Sequence, residues 1–269
     1  MTGPFWCVES RNGVRVAGRD AVSYLQSQLS QDVGELAVGA STWSLLLQPN
    51  GRVDALLRVR RTGDEELLID VDDGWGEAVL ARLQRFRIRV AAELDRIDFS
   101  VLAVRGEGVS APPGAVPAWW GVECGYDEFG PSAAGPPSDA APGDLVALET
   151  SRVRAGWPAM GREISEQTIP AELGPLLDVA VSFTKGCYPG QELVERMHSR
   201  GASAPKLVRR LESAGGPLRA GAPVTVDGRE VGTVTSAAGA VGLAVVGRAV
   251  EPETEVSVAG TSANVLPLR

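Results

Sequence analysis

Residues 206–269 contain six short β-prone runs: Leu207 to Leu211, Val224 to Val226, Val231 to Val234, Val241 to Val245, Val256 to Val258 and Ala263 to Leu266. Gly, Pro and Asp turns separate them. Runs this short, broken this often, cannot form helices, and none can bury its apolar side alone. They must pair with one another, which predicts a small antiparallel barrel or sandwich.

The first hundred residues carry a different signal. Val14 to Val16 is a strand candidate, and Asp20 is placed to cap a helix with Val22, Leu25 and Leu29 on one face. Trp43 to Gln48 and Val53 to Arg60 flank Pro49-Asn50-Gly51, and the Asn-Gly pair predicts a type I′ hairpin. Leu67 to Val71 adds a third strand. Trp75, Val79, Leu83 and Phe86 then form the stripe of an amphipathic helix. Arg82, Arg85 and Arg89 lie off that stripe or just beyond it and read as a solvated face, with an anion site as the alternative. Ile88 to Glu93 and Phe99 to Val104 complete the pattern as two strands. The order suits a sheet with helices on one face. Residues 111–143 hold seven prolines and six glycines in 33 positions, which excludes long regular elements. Trp119, Trp120 and Phe129 lie within this stretch and predict a partly packed unit. The expected boundaries are an α+β domain over 1–98, a shortened middle domain with the segment discussed next over 99–204, and a barrel over 205–269.

With 269 residues, 44% of them hydrophobic, the chain can bury a core, and its formal net charge of −8 argues against binding nucleic acid through phosphates. No apolar run reaches the roughly 18 residues that a membrane span requires. The first residues show no basic-then-apolar leader, so a cytoplasmic location is expected. Cys7, Cys124 and Cys187 share no short spacing, which gives no metal cage and suits a reducing compartment.

The rare residues concentrate in one segment. The only lysines, Lys185 and Lys206, the only histidine, His198, and Cys187 all fall within 185–210, where six basic residues face two acidic ones. Phe183 to Gly201 reads as a strand end, a Gly/Pro turn and a helix start, with Leu193, Val194 and Met197 on the buried side. Gly186 and Gly190 permit bending and close approach. Cys187 precedes a helix N-terminus and sits two residues from Lys185, a setting that favours thiolate. It reads equally well as a small buried residue in a tight turn. His198 has too few companions to be a metal ligand.

Lys-Gly-Cys-Tyr-x-Gly-Gln-Glu at 185–192, followed by Arg196 and Arg200-Gly201, resembles the signature of the YgfZ family. These are folate-binding proteins linked to iron–sulfur enzyme maturation or repair and related to the aminomethyltransferase T protein of glycine cleavage. Residues 18–32, 48–53, 154–158, 169–170 and 228–236 resemble other parts of that family. The resemblance implies an α+β fold of three domains in a ring, ferredoxin-like sheets followed by a small β-barrel. It also implies tetrahydrofolate as cofactor, with iron–sulfur client enzymes or cluster scaffolds as partners. It makes Cys187 and Lys185 the expected catalytic residues, and Tyr188, Gln191, Glu192, Arg200 and Asp54 the expected folate contacts. Lys185 and Arg200 would hold the glutamate-tail carboxylates, and Tyr188 would stack on a ring.

Two positions depart from the aminomethyltransferase pattern. Asp54 is followed by Ala55 where those relatives carry paired aspartates. Arg154 stands where they carry a glutamate, and an arginine cannot accept the hydrogen bonds a carboxylate takes from a pterin edge. A folate-binding accessory protein for iron–sulfur enzymes is therefore the first expectation. A tetrahydrofolate-dependent aminomethyltransferase-like enzyme is the second, and a folate-binding or redox-sensing module without a client is the third.

Overall fold

A computed structural model describes residues 3–121, 124–130, 135–199 and 204–269. The chain divides into two compact units, one of Met1–Leu148 with Asp178–Gln191 and one of Glu149–Leu177 with Glu192–Arg269.

The first unit is built on one sheet. Its strands are β1 (Phe5–Ala17), β2 (Ser41–Leu47), β3 (Val53–Gly63), β4 (Glu66–Val71), β5 (Glu93–Arg105), β6 (Val116–Pro117), β7 (Tyr126–Phe129) and β8 (Ala141–Pro142). They lie in the order β2-β3-β4-β1-β5-β7-β6, with β8 parallel to the start of β1. Helices α1 (Ala21–Gln28) and α2 (Gly76–Phe86) pack on β4, β1 and β5. Val14 pairs with Ile69 and Val16 with Leu67, so four fully buried aliphatic side chains stand side by side.

The opposite face is charged. Side chains alternate along a strand, so Asp70 points away from Ile69. Arg58 Nε and Nη2 donate to Asp70 Oδ2 at 3.0 and 2.6 Å, and Arg58 Nη1 donates to Asp127 Oδ2 at 2.8 Å. Arg11 takes the other oxygen of Asp70, and Arg105 takes the other oxygen of Asp127. Burial opposes ionisation of Asp127, but Arg105 and Arg58 outweigh it and hold the carboxyl below its ordinary range. The Pro/Gly-rich segment covers these arginines. Pro117 O accepts from Arg58, Gly114 O accepts from Arg60, and the Trp119 ring lies 4.4 Å from the Arg105 guanidinium. The expected packing of Trp119 and Trp120 is therefore met, since both are buried.

Several local expectations change. Val14 to Val16 is only the apolar end of a 13-residue strand in which Arg11 is held by ion pairs with Asp70 and Asp72 and buried Asn12 by bonds to Asp98 and Gly74 N–H. The strand expected at Ile88 to Glu93 does not form, and Ile88 is 77% exposed. Instead β5 runs unbroken from Glu93, because β1 pairs with all thirteen of its residues through the main chain. Asp20 does not cap α1; its carboxylate accepts from Ala91 N–H at 2.7 Å. The hairpin forms where predicted, but only Gly51 has positive φ. Gly51 N–H closes on Gln48 O, so the loop is a type I turn followed by a left-handed glycine, not a type I′ turn.

The second unit contains β9 (Lys206–Ser213), β10 (Pro223–Val226), β11 (Arg229–Ala238), β12 (Val241–Gly247), β13 (Glu255–Val258) and β14 (Thr261–Leu266), one for each predicted run. They close into a barrel in the order β10-β11-β12-β9-β14-β13 around Leu211, Val224, Val234, Val246, Val256 and Val265. Helices α3 (Leu145–Ala155), α4 (Leu176–Ala180) and α5 (Gln191–Ser199) complete the chain. The first two were not anticipated, although Asp144 caps α3 by accepting from Ala147 N–H.

Replacing Arg58 by Met takes one guanidinium from each of two buried carboxylates, which keep Arg11 and Arg105, and urea denaturation is expected to show a stability loss of about 3 kcal/mol. A loss under 1 kcal/mol would show that the network does not hold the charged face.

Candidate functional site

The segment expected to carry the chemistry is a loop, not a strand end, until α5 begins at Gln191. An ammonium ion holds it in place. Helix α1 ends at Gln28, and its last carbonyls have no partner within the helix. Lys185 Nζ donates to Gln26 O at 2.6 Å, Leu29 O at 2.7 Å and Gln31 O at 3.1 Å. Three N–H groups meet three carbonyls at a helix C-terminus, where positive charge is favoured. Neighbouring bonds lengthen the seam: Ser30 Oγ donates to Ala180 O, Gln31 Nε2 to Val179 O, and Ser182 N–H to Ser30 O. Burial pushes the Lys185 ammonium down to about 8, against the pull of Asp32. Lys185 also stands 5.4 Å over the ring of buried Tyr188. All three of its donors are committed, so it is not poised to receive a ligand carboxylate as the sequence suggested.

The far end of the loop rests on the β2–β3 hairpin. Gly190 has φ +82°, and a Cβ there would lie 2.6 Å from Gln48 O and 2.9 Å from Gly51 Cα. Only glycine fits on both counts. Gly186 meets no neighbour within 4 Å, so the close approach expected of both glycines is made by one. Leu47, which also lies 3.1 Å from that Cβ position, accepts from Arg82 Nη2 through its carbonyl at 2.7 Å. Arg82 Nε donates to Asp54 Oδ2 at 2.9 Å, and its guanidinium lies 4.1 Å from the Phe86 ring centroid. The same hairpin end therefore carries the loop and Asp54. Arg82 is not on a solvated face, since its side chain is 9% exposed. The usable signal was the i, i+4 spacing of Arg82 and Phe86.

Between these two anchors Cys187 is exposed, whereas Cys7 is buried and Cys124 half-buried. Burial, reinforced by Glu9, pushes the Cys7 thiol up to about 11. The alternative of Cys187 as a small buried residue is excluded. Gln191 is half-buried at the start of α5, and Glu192 is exposed in its first turn. Arg200 lies outside the described residues. Val194 alone of the expected apolar side of α5 is fully buried, and His198 is exposed. Among the described residues, no three of His, Cys, Asp or Glu converge as a metal site.

In the second unit Arg154 is exposed, and the inward arginine is Arg152. Arg152 Nη1 donates to Glu163 Oε2 at 3.0 Å, and Glu163 also accepts from Ala159 N–H, Thr235 Oγ1 and Ser236 Oγ. This saturated carboxylate ties the turn after α3 to strand β11.

Residues 207–265 match the family described as CAF17, C-terminal beta-barrel domain. The chain is 30% identical over 285 aligned residues to an aminomethyltransferase of Rubrobacter xylanophilus, covering 90% of this chain and 74% of that protein. It is 27% identical over 284 residues to the tRNA-modifying protein YgfZ of Vibrio vulnificus, covering 93% and 86%. It is 26% identical over 227 residues to the mitochondrial iron–sulfur cluster assembly factor IBA57 homolog of Mycosarcoma maydis, covering 75% and 55%. The crystal structure of glycine cleavage system aminomethyltransferase T from Bartonella henselae superposes with a TM-score of 0.82 at 21% identity, over 99% of this chain and 86% of that one. That likeness establishes a shared fold.

Lys185→Met removes the donor from three main-chain carbonyls, of which Leu29 O is buried, and urea denaturation at pH 7 is expected to show a loss of about 2 kcal/mol. The folded-state ammonium titrates near 8 against an ordinary value of 10.5. Between those values the unfolded chain binds more protons, so this group's contribution to stability rises with pH there. Lys185→Met removes that rise, and comparing wild type with the variant at pH 7.5 and 10 checks it. Gly190→Ala is expected to cost about 2 kcal/mol through its positive φ and the clash with Gln48 O. Unchanged melting would contradict the close packing of loop on hairpin.

Proposed function

The chain belongs to the YgfZ/CAF17 family, which shares its fold with the aminomethyltransferases, and from this we propose that it is a tetrahydrofolate-binding accessory protein for the assembly or repair of iron–sulfur enzymes. The supporting observation is Cys187, an exposed thiol on a loop anchored on one side by Lys185 and on the other by Gly190. A thiol held this way meets a cluster or a client without refolding of its support. Three scattered cysteines cannot complete a four-thiolate cluster cage. The cluster is thus cargo, and Cys187 serves as one ligand during transit.

The residues present fit a folate in part. Asp54 and Gln191, both in the first unit, offer acceptors for the donor edge of a pterin, whereas the Tyr188 ring is buried against the Lys185 ammonium and is not open for stacking. Lys185 does not fit as the receptor for the glutamate tail, because its donors are held by carbonyls; in this reading it is the clamp that positions Cys187 and Tyr188. When bound, tetrahydrofolate supplies a reduced pterin able to carry one-carbon units. The second reading, aminomethyl transfer, draws on the 30% identity to an aminomethyltransferase and on Asp54 beside the loop. Arg154, exposed where those relatives carry a glutamate, weighs against it.

In cells lacking this protein and under oxidative stress, a Cys187→Ser copy is expected to leave an iron–sulfur client enzyme at a small fraction of its wild-type-rescued activity, with protein abundance unchanged. Full client activity would remove Cys187 from the mechanism. Turnover of an aminomethyl donor with tetrahydrofolate, abolished by Asp54→Asn, would favour the transferase reading.

A further inference from the structure

We propose that Arg82 is the positioning residue for Asp54, locking one carboxylate oxygen so that the other is presented to an N–H donor of the bound folate. This rests on the reading of Asp54 as a folate contact. Arg82 is nine-tenths buried and fixed at three points: Nε on Asp54 Oδ2, Nη2 on Leu47 O, and its plane near the Phe86 ring. Its Nη1 is buried with no hydrogen-bond partner among the described residues, so no second acid competes for the guanidinium. The helix that carries Arg82 is itself pinned, because Tyr24 Oη donates to Leu83 O at 2.5 Å and ties α2 to α1.

Asp54 sits at the start of β3, and its side chain is 24% exposed. Among the described residues only Oδ2 is engaged, by Arg82, which leaves Oδ1 open. A carboxylate free at both oxygens would rotate about its terminal torsion. With Oδ2 held, Oδ1 acquires one direction, set by the hairpin end on which Gly190 also rests. An arginine suits this because its fork bonds the carboxylate and the Leu47 carbonyl together, which a lysine matches only in part.

Calorimetric titration of the full chain with tetrahydrofolate tests this. Arg82→Met is expected to weaken binding about tenfold, and Arg82→Lys to recover part of that loss. In an Asp54→Asn background Arg82→Met is expected to change affinity less than threefold, while still lowering the melting temperature as it does in wild type. Equal losses of affinity in both backgrounds would make Arg82 a structural residue only and overturn the proposal. Wild-type affinity in Arg82→Met would overturn it as well. No binding by the wild-type chain, with mono- or polyglutamylated forms, would instead overturn the folate reading on which it rests.

Discussion

One ammonium ion carries the architecture of the candidate site. Lys185 is buried at the end of α1 and gives each of its protons to a different main-chain carbonyl. Burying a charge is unfavourable unless partners replace the lost water, and the helix end has carbonyls in need of donors. The carbonyls offset part of the desolvation, which still pulls the ammonium down to about 8. Everything in the loop is referred to that point, including the Tyr188 ring below it, the exposed Cys187 after it, and Gly190 seated on the hairpin.

The same economy recurs with arginine, which makes up 24 of the 26 cationic residues. Arg58, Arg82, Arg105 and Arg152 are buried and hold carboxylates, carbonyls or both. A planar fork with five donors satisfies several acceptors with one side chain, so a polar sheet face can be closed over. This explains how a segment rich in proline and glycine, with few ladder bonds of its own, is held against the sheet. Its carbonyls at Gly114 and Pro117 accept from Arg60 and Arg58.

How legible the fold was depended on what decides each element. The six barrel strands were readable because each has local apolar alternation and a nearby turn. Strand β5 was readable only over Phe99 to Val104, because its charged stretch from Asp95 to Asp98 is strand only by pairing with β1, a partner some eighty residues away in the chain. The polar half of β1 was hidden for the same reason. In the site, the glycine at 190 and the cysteine at 187 stood out by residue type. The assignment of Lys185 to a ligand was reasonable from charge alone, and the structure reverses it because charge says nothing about which acceptors the fold brings within 3 Å.

The amino-acid sequence by itself determined the barrel, the hairpin, the amphipathic α2 helix and the segment holding the rare residues. Periodicity, turn chemistry and residue scarcity act over a few neighbours, so these features need no distant partner. Only the tertiary structure decided that Lys185 is a clamp, that Cys187 is exposed while Cys7 is buried, and that Arg82 faces Asp54 instead of solvent. Each of those outcomes depends on groups 28 to 159 residues apart or on burial by the assembled sheet. Hydrogen bonds and desolvation are set by distances that only chain packing creates.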